Sequence, residues 1–427
     1  MSAYAALLAE LYRLEPRGIR LGLDRMERAL EALGQPQRQL RFAHITGSNG
    51  KGSVAAMVES CARAAGLRTG LYTSPHLDRF TERIRIAGHP VSRAMLVAEY
   101  RALCEALGPL EALELSFFEV ATLLAFACFR RAGCELIVLE VGLGGRLDAT
   151  NVVQPEVALI TRIALEHQDR LGDTHAAIAF EKAGIFKRGA AAISGARHEE
   201  AHRVIDARAR ELGASLQWID RDFGGHWDAR GKASLWSPNF ALEGQSLGLQ
   251  GAYQIDNAAC ALATLDALQE RGYAFEEAAI RRGFARVSWP GRLEKLAGRP
   301  PLLLDAAHNP DAMSTLADHL ARQTKRGRRV AIFGAMSDKE VRPMLESLAS
   351  QVDEFVFLSL PMPRAMSLEE LRALHPGAGA RDAADALRLA RAKAGPEGLV
   401  VGTGSIFVVA ELRRALRPRR CDPPIRL

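Results

Sequence analysis

Residues 40–66, LRFAHITGSNGKGSVAAMVESCARAAG, constrain the fold more than any other stretch of the chain. An apolar run at 40–46 ends in a glycine-rich turn. Apolar residues then recur with helical spacing at Val54, Met57, Val58, Cys61 and Ala65. A buried strand that turns at once into an amphipathic helix is the opening unit of a parallel sheet flanked by helices. The turn also carries chemistry, because backbone N–H groups at the positive end of a helix dipole attract anions. Lys51 adds a charge for β/γ-phosphates, and Ser53 offers a hydroxyl to Mg²⁺. Gly47 and Gly50 have two residues between them, and Gly52 separates Lys51 from Ser53. The common loop, G-x-x-x-x-G-K-[ST], is spaced differently. Residues Gly47, Ser48, Asn49, Gly50, Lys51, Gly52 and Ser53 therefore read as a phosphate-binding loop of variant form.

The alternation continues downstream. RTGLYTS (68–74), ELIVLEV (135–141) and VALITRI (157–163) read as buried strands, the first followed by a polar loop. Helical patterns lie near 3–14, 22–33, 92–107, 116–132 and 254–272, and short antiparallel strands are expected between Trp218 and Leu249. This is the pattern of a parallel sheet covered on both faces. A chain of 427 residues exceeds the roughly 250–300 that one core supports, so two domains are expected. The Pro- and Gly-rich stretch 287–301 is the linker candidate, and beyond it strands and helices alternate again. The expected division is 1–295 and 296–427. The second, smaller domain has Rossmann-like layering but no G-x-G-x-x-G after its first strand, so it is not read as a dinucleotide binder.

Charge and cysteine content exclude other classes. The net charge of +6 is mild, and much of it sits in the tail RRALRPRR (413–420), which reads as a solvated basic end and not as a nucleic-acid site. Six scattered cysteines without C-x-x-C suggest reduced thiols in a cytoplasm. The first residues carry acids within their apolar pattern and do not read as a signal peptide, and no run is apolar enough to span a bilayer.

A Mg²⁺–nucleotide site needs an acid from a neighbouring strand. Glu140 ends the run LIVLE, at the edge where ligands bind in open α/β sheets, although an ion pair with Arg146 is an alternative. His167 follows the next strand, but a hard cation prefers oxygen, so its chemistry alone leaves it a loop histidine.

Seven motifs occur in order: GSNGKGS, YTSPHLDRFTERI (72–84), LEVGLGGRLDATN (139–151), EHQDRLGDT (166–174), EKAGI (181–185), WPGRLE (289–294) and DAAHNP (305–310). Together they resemble the folylpolyglutamate synthase family of the Mur ligase superfamily, whose members include bifunctional dihydrofolate synthase/folylpolyglutamate synthases. The resemblance spans about residues 20–410 and accounts for the variant loop. It implies an N-terminal P-loop-containing Mur-ligase-type ATPase domain, which also holds the pterin/folate site, and a smaller C-terminal Rossmann-like α/β glutamate ligase domain. It implies that residues 47–53 hold ATP together with Asn257, Arg292 and Asp305. Ser53, Ser74, Glu140 and His167 would be metal ligands. Lys51, Lys182 and His308 would face the reaction, with Lys182 carried as a carbamate (N6-carboxylysine). Phe118 would stack on the pterin and Asp148 would bond its edge; a core aromatic and a turn cap are the respective alternatives. Ser48, Ala306 and Glu166 depart from the family's usual residues, and none of the three is expected to touch a charge-bearing ligand.

The implied reaction is ATP-driven attachment of L-glutamate to dihydropteroate and to reduced folates through an acyl phosphate. Folylpolyglutamate synthesis alone is the alternative. The resemblance implies two Mg²⁺ ions with ATP as substrate, leaves a K⁺ requirement open, and suggests a cytoplasmic monomer without nucleic-acid or membrane partners. A cell-wall Mur ligase would need a UDP-binding domain ahead of the loop, and only 46 residues precede Gly47. A nucleotide switch without ligase activity would be expected to lack the acid, the histidine or the acceptor residues, all of which are present.

Overall fold

The structure, a computed structural model, describes residues 2–15, 18, 20–108, 113–418 and 421–422. The chain forms two compact units. Residues 1–76, 80–248 and 254–288 make up the first, and 77–79, 249–253 and 289–427 the second.

The first unit is built on an eight-stranded sheet of β1 (Phe42–Thr46), β2 (Thr69–Tyr72), β3 (Ile84–Ile86), β4 (His89–Pro90), β5 (Leu136–Glu140), β6 (Val157–Ile160), β7 (Ala191–Ser194) and β8 (Leu216–Trp218). Their order is β4-β3-β2-β5-β1-β6-β7-β8. From β2 to β8 the pairings are parallel, whereas β3 and β4 pair antiparallel at one edge. That hairpin lies where the sequence suggests only a polar loop, since two- and three-residue strands carry no readable alternation. β1 is central, and every one of its residues is buried. Phe42, His44 and Thr46 share one of its faces because strand side chains alternate. Phe42 packs with Ile137, Leu139 and the helix Phe117–Ala132, which Ser116 starts with a capping box to Glu119. The opposite face meets the helix Lys51–Ala64, which packs on β2 and β5. The helices His175–Ala183 and Glu199–Leu212 add a further core over Ala158, Ile160 and Ala192. Those two helices, β7, β8 and the helix Glu277–Arg286 go beyond the sequence reading. The antiparallel strands expected after Trp218 are β9 (Gly224–Trp227), β10 (Ala233–Trp236) and β11 (Ala241–Gln245), which form a separate three-stranded sheet.

The second unit carries a six-stranded sheet of β12 (Glu294–Leu296), β13 (Leu302–Leu304), β14 (Arg329–Phe333), β15 (Glu354–Leu358), β16 (Ala378–Ala380) and β17 (Leu399–Thr403), in the order β12-β13-β17-β14-β15-β16. All pairings are parallel except β12 with β13. β12 lies within the stretch that looks like a linker, so its proline and glycine residues flank a strand. The basic tail differs from the sequence reading at Arg413, which is buried and paired with Asp78 at 2.6 Å and with Glu294. A buried guanidinium requires such partners. The last residues of that run, 419–420, lie outside the described residues. None of the six cysteines forms a disulfide, and no helix among the described residues is long and apolar enough to cross a membrane.

Candidate active site

The loop from β1 into the helix Lys51–Ala64 depends on close backbone approach. Gly47 has φ +146°, and a Cβ there would lie 1.8 Å from Thr161 Oγ1; at Gly50, φ +94°, it would lie 2.3 Å from Asn257 Oδ1. Both conformations are ones that only glycine adopts without strain. Gly50 caps the helix in the left-handed region with no side chain over the helix end. Lys51 Nζ donates to the carbonyls of Gly47 at 2.7 Å and Ser48 at 2.9 Å, so the lysine folds back over its own loop. Ser48 is committed to structure: its N–H donates to the Arg162 carbonyl at 2.8 Å and its hydroxyl to the Ala164 carbonyl at 2.9 Å. Ser53 is buried on the first turn of the helix. Asn257, which abuts Gly50, donates to Gln254 Oε1 at 2.8 Å.

A cleft lined by Thr46, Gly47, Lys51, Glu166, His167, Lys182 and residues 141–144 opens at the carboxyl ends of β1, β5 and β6. Glu140, the last residue of β5, is 4% exposed and accepts the Ser74 N–H at 3.1 Å. Arg146, its alternative partner from sequence, is paired with Glu181 at 2.8 Å. The Glu140 carboxylate and the serine hydroxyls are oxygen donors of the kind Mg²⁺ or Mn²⁺ takes, and the His167 imidazole is the atypical member of the expected set. His167 starts the short helix Gln168–Leu171 with φ +49° and is half-buried in the cleft.

Lys182 lies on the last turn of the helix His175–Ala183 and is 2% exposed. Its Nζ meets Glu166 Oε1 at 3.2 Å. Burial brings its pKa down to about 8; Glu166 opposes that shift and the charge of Lys51 adds to it. This contact corrects the expectation for Glu166, whose carboxylate touches a residue of the proposed machinery. Sequence separation hides the pair, because sixteen residues and a turn intervene.

Phe118 and Asp148 converge on the loop after β5. The Phe118 ring lies against Gly142, where a Cβ would be 2.5 Å from Cζ, and 5.9 Å from the Tyr72 ring. Asp148 is buried and accepts from Thr150 N–H at 2.9 Å, Thr150 Oγ1–H at 2.6 Å and Leu143 N–H at 2.8 Å. Burial raises its pKa, and these bonds pull the other way. The carboxylate thus caps its own turn, whatever else it holds.

Arg292, Asp305 and His308 belong to the second unit. Asp305 is buried and joins two motifs of that unit by accepting from Leu293 N–H at 2.9 Å and Ala307 N–H at 3.0 Å. Burial raises its pKa, and Arg292 counters the rise. His308 Nδ1 lies 3.0 Å from the Ala306 carbonyl, just before the helix Pro310–Ala321.

Comparison with known proteins assigns the chain. Residues 45–265 match the Mur ligase middle domain, and residues 291–406 match the Mur ligase glutamate ligase domain. The dihydrofolate synthase/folylpolyglutamate synthase of Escherichia coli (strain K12) is 36% identical over 423 residues, covering 98% of this chain and 97% of the relative. The chain belongs to the folylpolyglutamate synthase family. Another member, the folylpolyglutamate synthase of Lacticaseibacillus casei, is 35% identical over 400 residues, covering 91% of this chain and 92% of that one. Among solved family structures, E. coli FolC in complex with DHPP and ADP superposes with a TM-score of 0.90 at 35% identity, covering 98% of this chain and 99% of that one. The bifunctional folylpolyglutamate synthase/dihydrofolate synthase from Yersinia pestis complexed with AMPPNP and Mn ion gives 0.88 at 35% identity and 98% of both chains. The two-domain α/β architecture is therefore that of this family.

Proposed function

We propose that this protein ligates L-glutamate to dihydropteroate, giving dihydrofolate, and to reduced folates, giving folylpolyglutamates, at the expense of ATP. The observation that carries the proposal is the cleft that gathers the glycine loop, Lys51, His167 and Lys182 beside the buried Glu140. The relatives' names and bound molecules point the same way.

The acceptor carboxylate attacks the γ-phosphorus of ATP, releasing ADP and forming an acyl phosphate. The glutamate α-amine then attacks the acyl carbon, and phosphate leaves as the tetrahedral intermediate collapses. Lys51 swings its ammonium from the Gly47 and Ser48 carbonyls toward the β/γ-phosphates, where preorganised charge lowers the barrier. The N-terminal amides of its helix complete the cradle. Ser53, Ser74, Glu140 and His167 would hold Mg²⁺, two ions in this reading, and the metal would supply positive charge to offset that on the transferring phosphoryl group. Neutral Lys182 adds CO₂ and releases a proton, becoming a carbamate; its lowered pKa favours the neutral amine that this step needs. Asn257, Arg292 and Asp305 bind nucleotide, His308 faces the reacting groups, and Phe118 and Asp148 hold the pterin. We place the enzyme in the cytoplasm as a monomer, with the K⁺ requirement open to direct titration.

The deciding assay uses purified protein, ATP, Mg²⁺ and glutamate, with dihydropteroate and tetrahydrofolate supplied separately. Phosphate release that needs both acceptor and glutamate supports a ligase. Turnover with tetrahydrofolate alone would favour the second reading, folylpolyglutamate synthesis only, which the naming of the L. casei relative suggests. Release independent of both would overturn the assignment.

A further inference from the structure

The ligase reading leaves a buried histidine without a role. His44 stands on the central strand β1, three residues before Gly47, and is fully buried. An aliphatic side chain would fill such a place without desolvating a polar ring. Its Nε2 lies 2.9 Å from Thr150 Oγ1, and its Nδ1 is buried without a hydrogen-bond partner. Thr150 Oγ1 in turn lies 2.6 Å from Asp148 Oδ1.

The direction of these bonds follows from what each group can give. Asp148 already accepts backbone N–H groups from Leu143 and Thr150, which stabilise the carboxylate form. The Thr150 hydroxyl has one hydrogen, and the carboxylate takes it. The Thr150 oxygen must then accept from His44, which places the imidazole proton on Nε2 and leaves Nδ1 bare. The chain runs His44 Nε2–H to Thr150 Oγ1–H to Asp148 Oδ1. A second bond from the same face of β1, Thr46 Oγ1–H to the Gly144 carbonyl at 2.5 Å, pins the same loop. Phe118 packs on that loop at Gly142, beside the Leu143 amide that Asp148 holds.

We propose that His44 is a positioning residue for the acceptor: through Thr150 it orients the Asp148 carboxylate beside Phe118 and so sets affinity for the pterin end of the substrate. This rests on the reading above that Phe118 and Asp148 hold the pterin. Only an Nε2–H donor supports the relay, so packing volume and hydrogen bonding are separable. Leucine keeps the bulk without the donor. Glutamine places an amide N–H at the same reach.

The test is steady-state kinetics on the full chain, varying dihydropteroate and ATP in turn, for His44→Leu, His44→Gln, Thr150→Val and Asp148→Ala. His44→Leu and Thr150→Val should each raise the dihydropteroate KM about tenfold, the size of one lost hydrogen bond to a charged group, with the ATP KM unmoved. Their double variant should be no worse than either alone, because both cut the same chain. His44→Gln should restore most of the loss. Equal rises in both KM values, or a glutamine variant as poor as the leucine one, would mean packing alone and overturn the proposal. Thr150→Val reads the same link should His44→Leu not fold. An effect of Asp148→Ala without one from either relay variant overturns the relay and spares the acceptor site. No effect of Asp148→Ala removes the acceptor reading and the relay with it.

Discussion

Glu166 Oε1 stands 3.2 Å from Lys182 Nζ, and both side chains are buried, at 5% and 2% exposure. The pair is stable as carboxylate and ammonium. A carbamate on Lys182 would instead face Glu166 as a like charge, so the modification should require cations between them. Intact-mass or crystallographic measurement should therefore find one added CO₂ on Lys182 with Mg²⁺, nucleotide and bicarbonate, and an unmodified amine when the metal is chelated. A bare ammonium still paired to Glu166 under the first condition would rule out the carbamate.

Lys182→Ala should be nearly inactive and partly rescued by acetate, which can occupy the vacated carboxylate position. It also removes an ion-pair partner of the buried Glu166, and breaking a buried pair costs up to about 3–5 kcal/mol. Adding Glu166→Gln should restore the melting temperature without restoring turnover. A double variant as unstable as Lys182→Ala would show that the loss came from packing.

Glu140→Gln keeps an oxygen to accept the Ser74 N–H and removes the charge. The Mg²⁺ concentration giving half-maximal activity should rise at least tenfold, with the melting temperature nearly unchanged. A collapse of stability at constant Mg²⁺ dependence would make Glu140 a structural acid.

Lys51→Ala removes the charge opposite the phosphates and two bonds to the loop carbonyls. Ligation should fall by roughly a thousandfold, in line with loss of a preorganised electrostatic contact. Stability should change by about 1 kcal/mol, because hydrogen bonds at a half-exposed loop contribute little net. Gly47→Ala should do the reverse, losing stability first, since its Cβ would fall 1.8 Å from Thr161 Oγ1. Wild-type turnover in Lys51→Ala would end the phosphate-loop reading.

His44 makes the fold acid-sensitive. Burial, reinforced by Lys187, holds its pKa near 3, against about 6.5 in the unfolded chain. Between those values the unfolded state binds a proton that the folded state refuses, so stability falls with falling pH by about 1.4 kcal/mol per unit. Urea titrations at pH 7 and pH 5 should show a loss of about 2 kcal/mol in the wild type and a smaller one in His44→Gln. Equal losses would mean that His44 is protonated in the folded protein.

Local chemistry made much of this protein legible in its sequence. The glycine loop, the strand ends at Glu140 and Thr46, and the helix starts all depend on neighbours within a few residues, so periodicity and turn chemistry reveal them. Lys182, Phe118 and Asp148 could be named only through resemblance. Tertiary structure alone decided three further points. It paired Glu166 with Lys182, spent the Ser48 hydroxyl on the Ala164 backbone, and set His44 against Thr150, more than a hundred residues away. The last two join segments whose approach depends on strand order in the sheet, and the first depends on how the helix His175–Ala183 folds back over the turn after β6; both arise from packing summed over the whole unit, which no local pattern encodes.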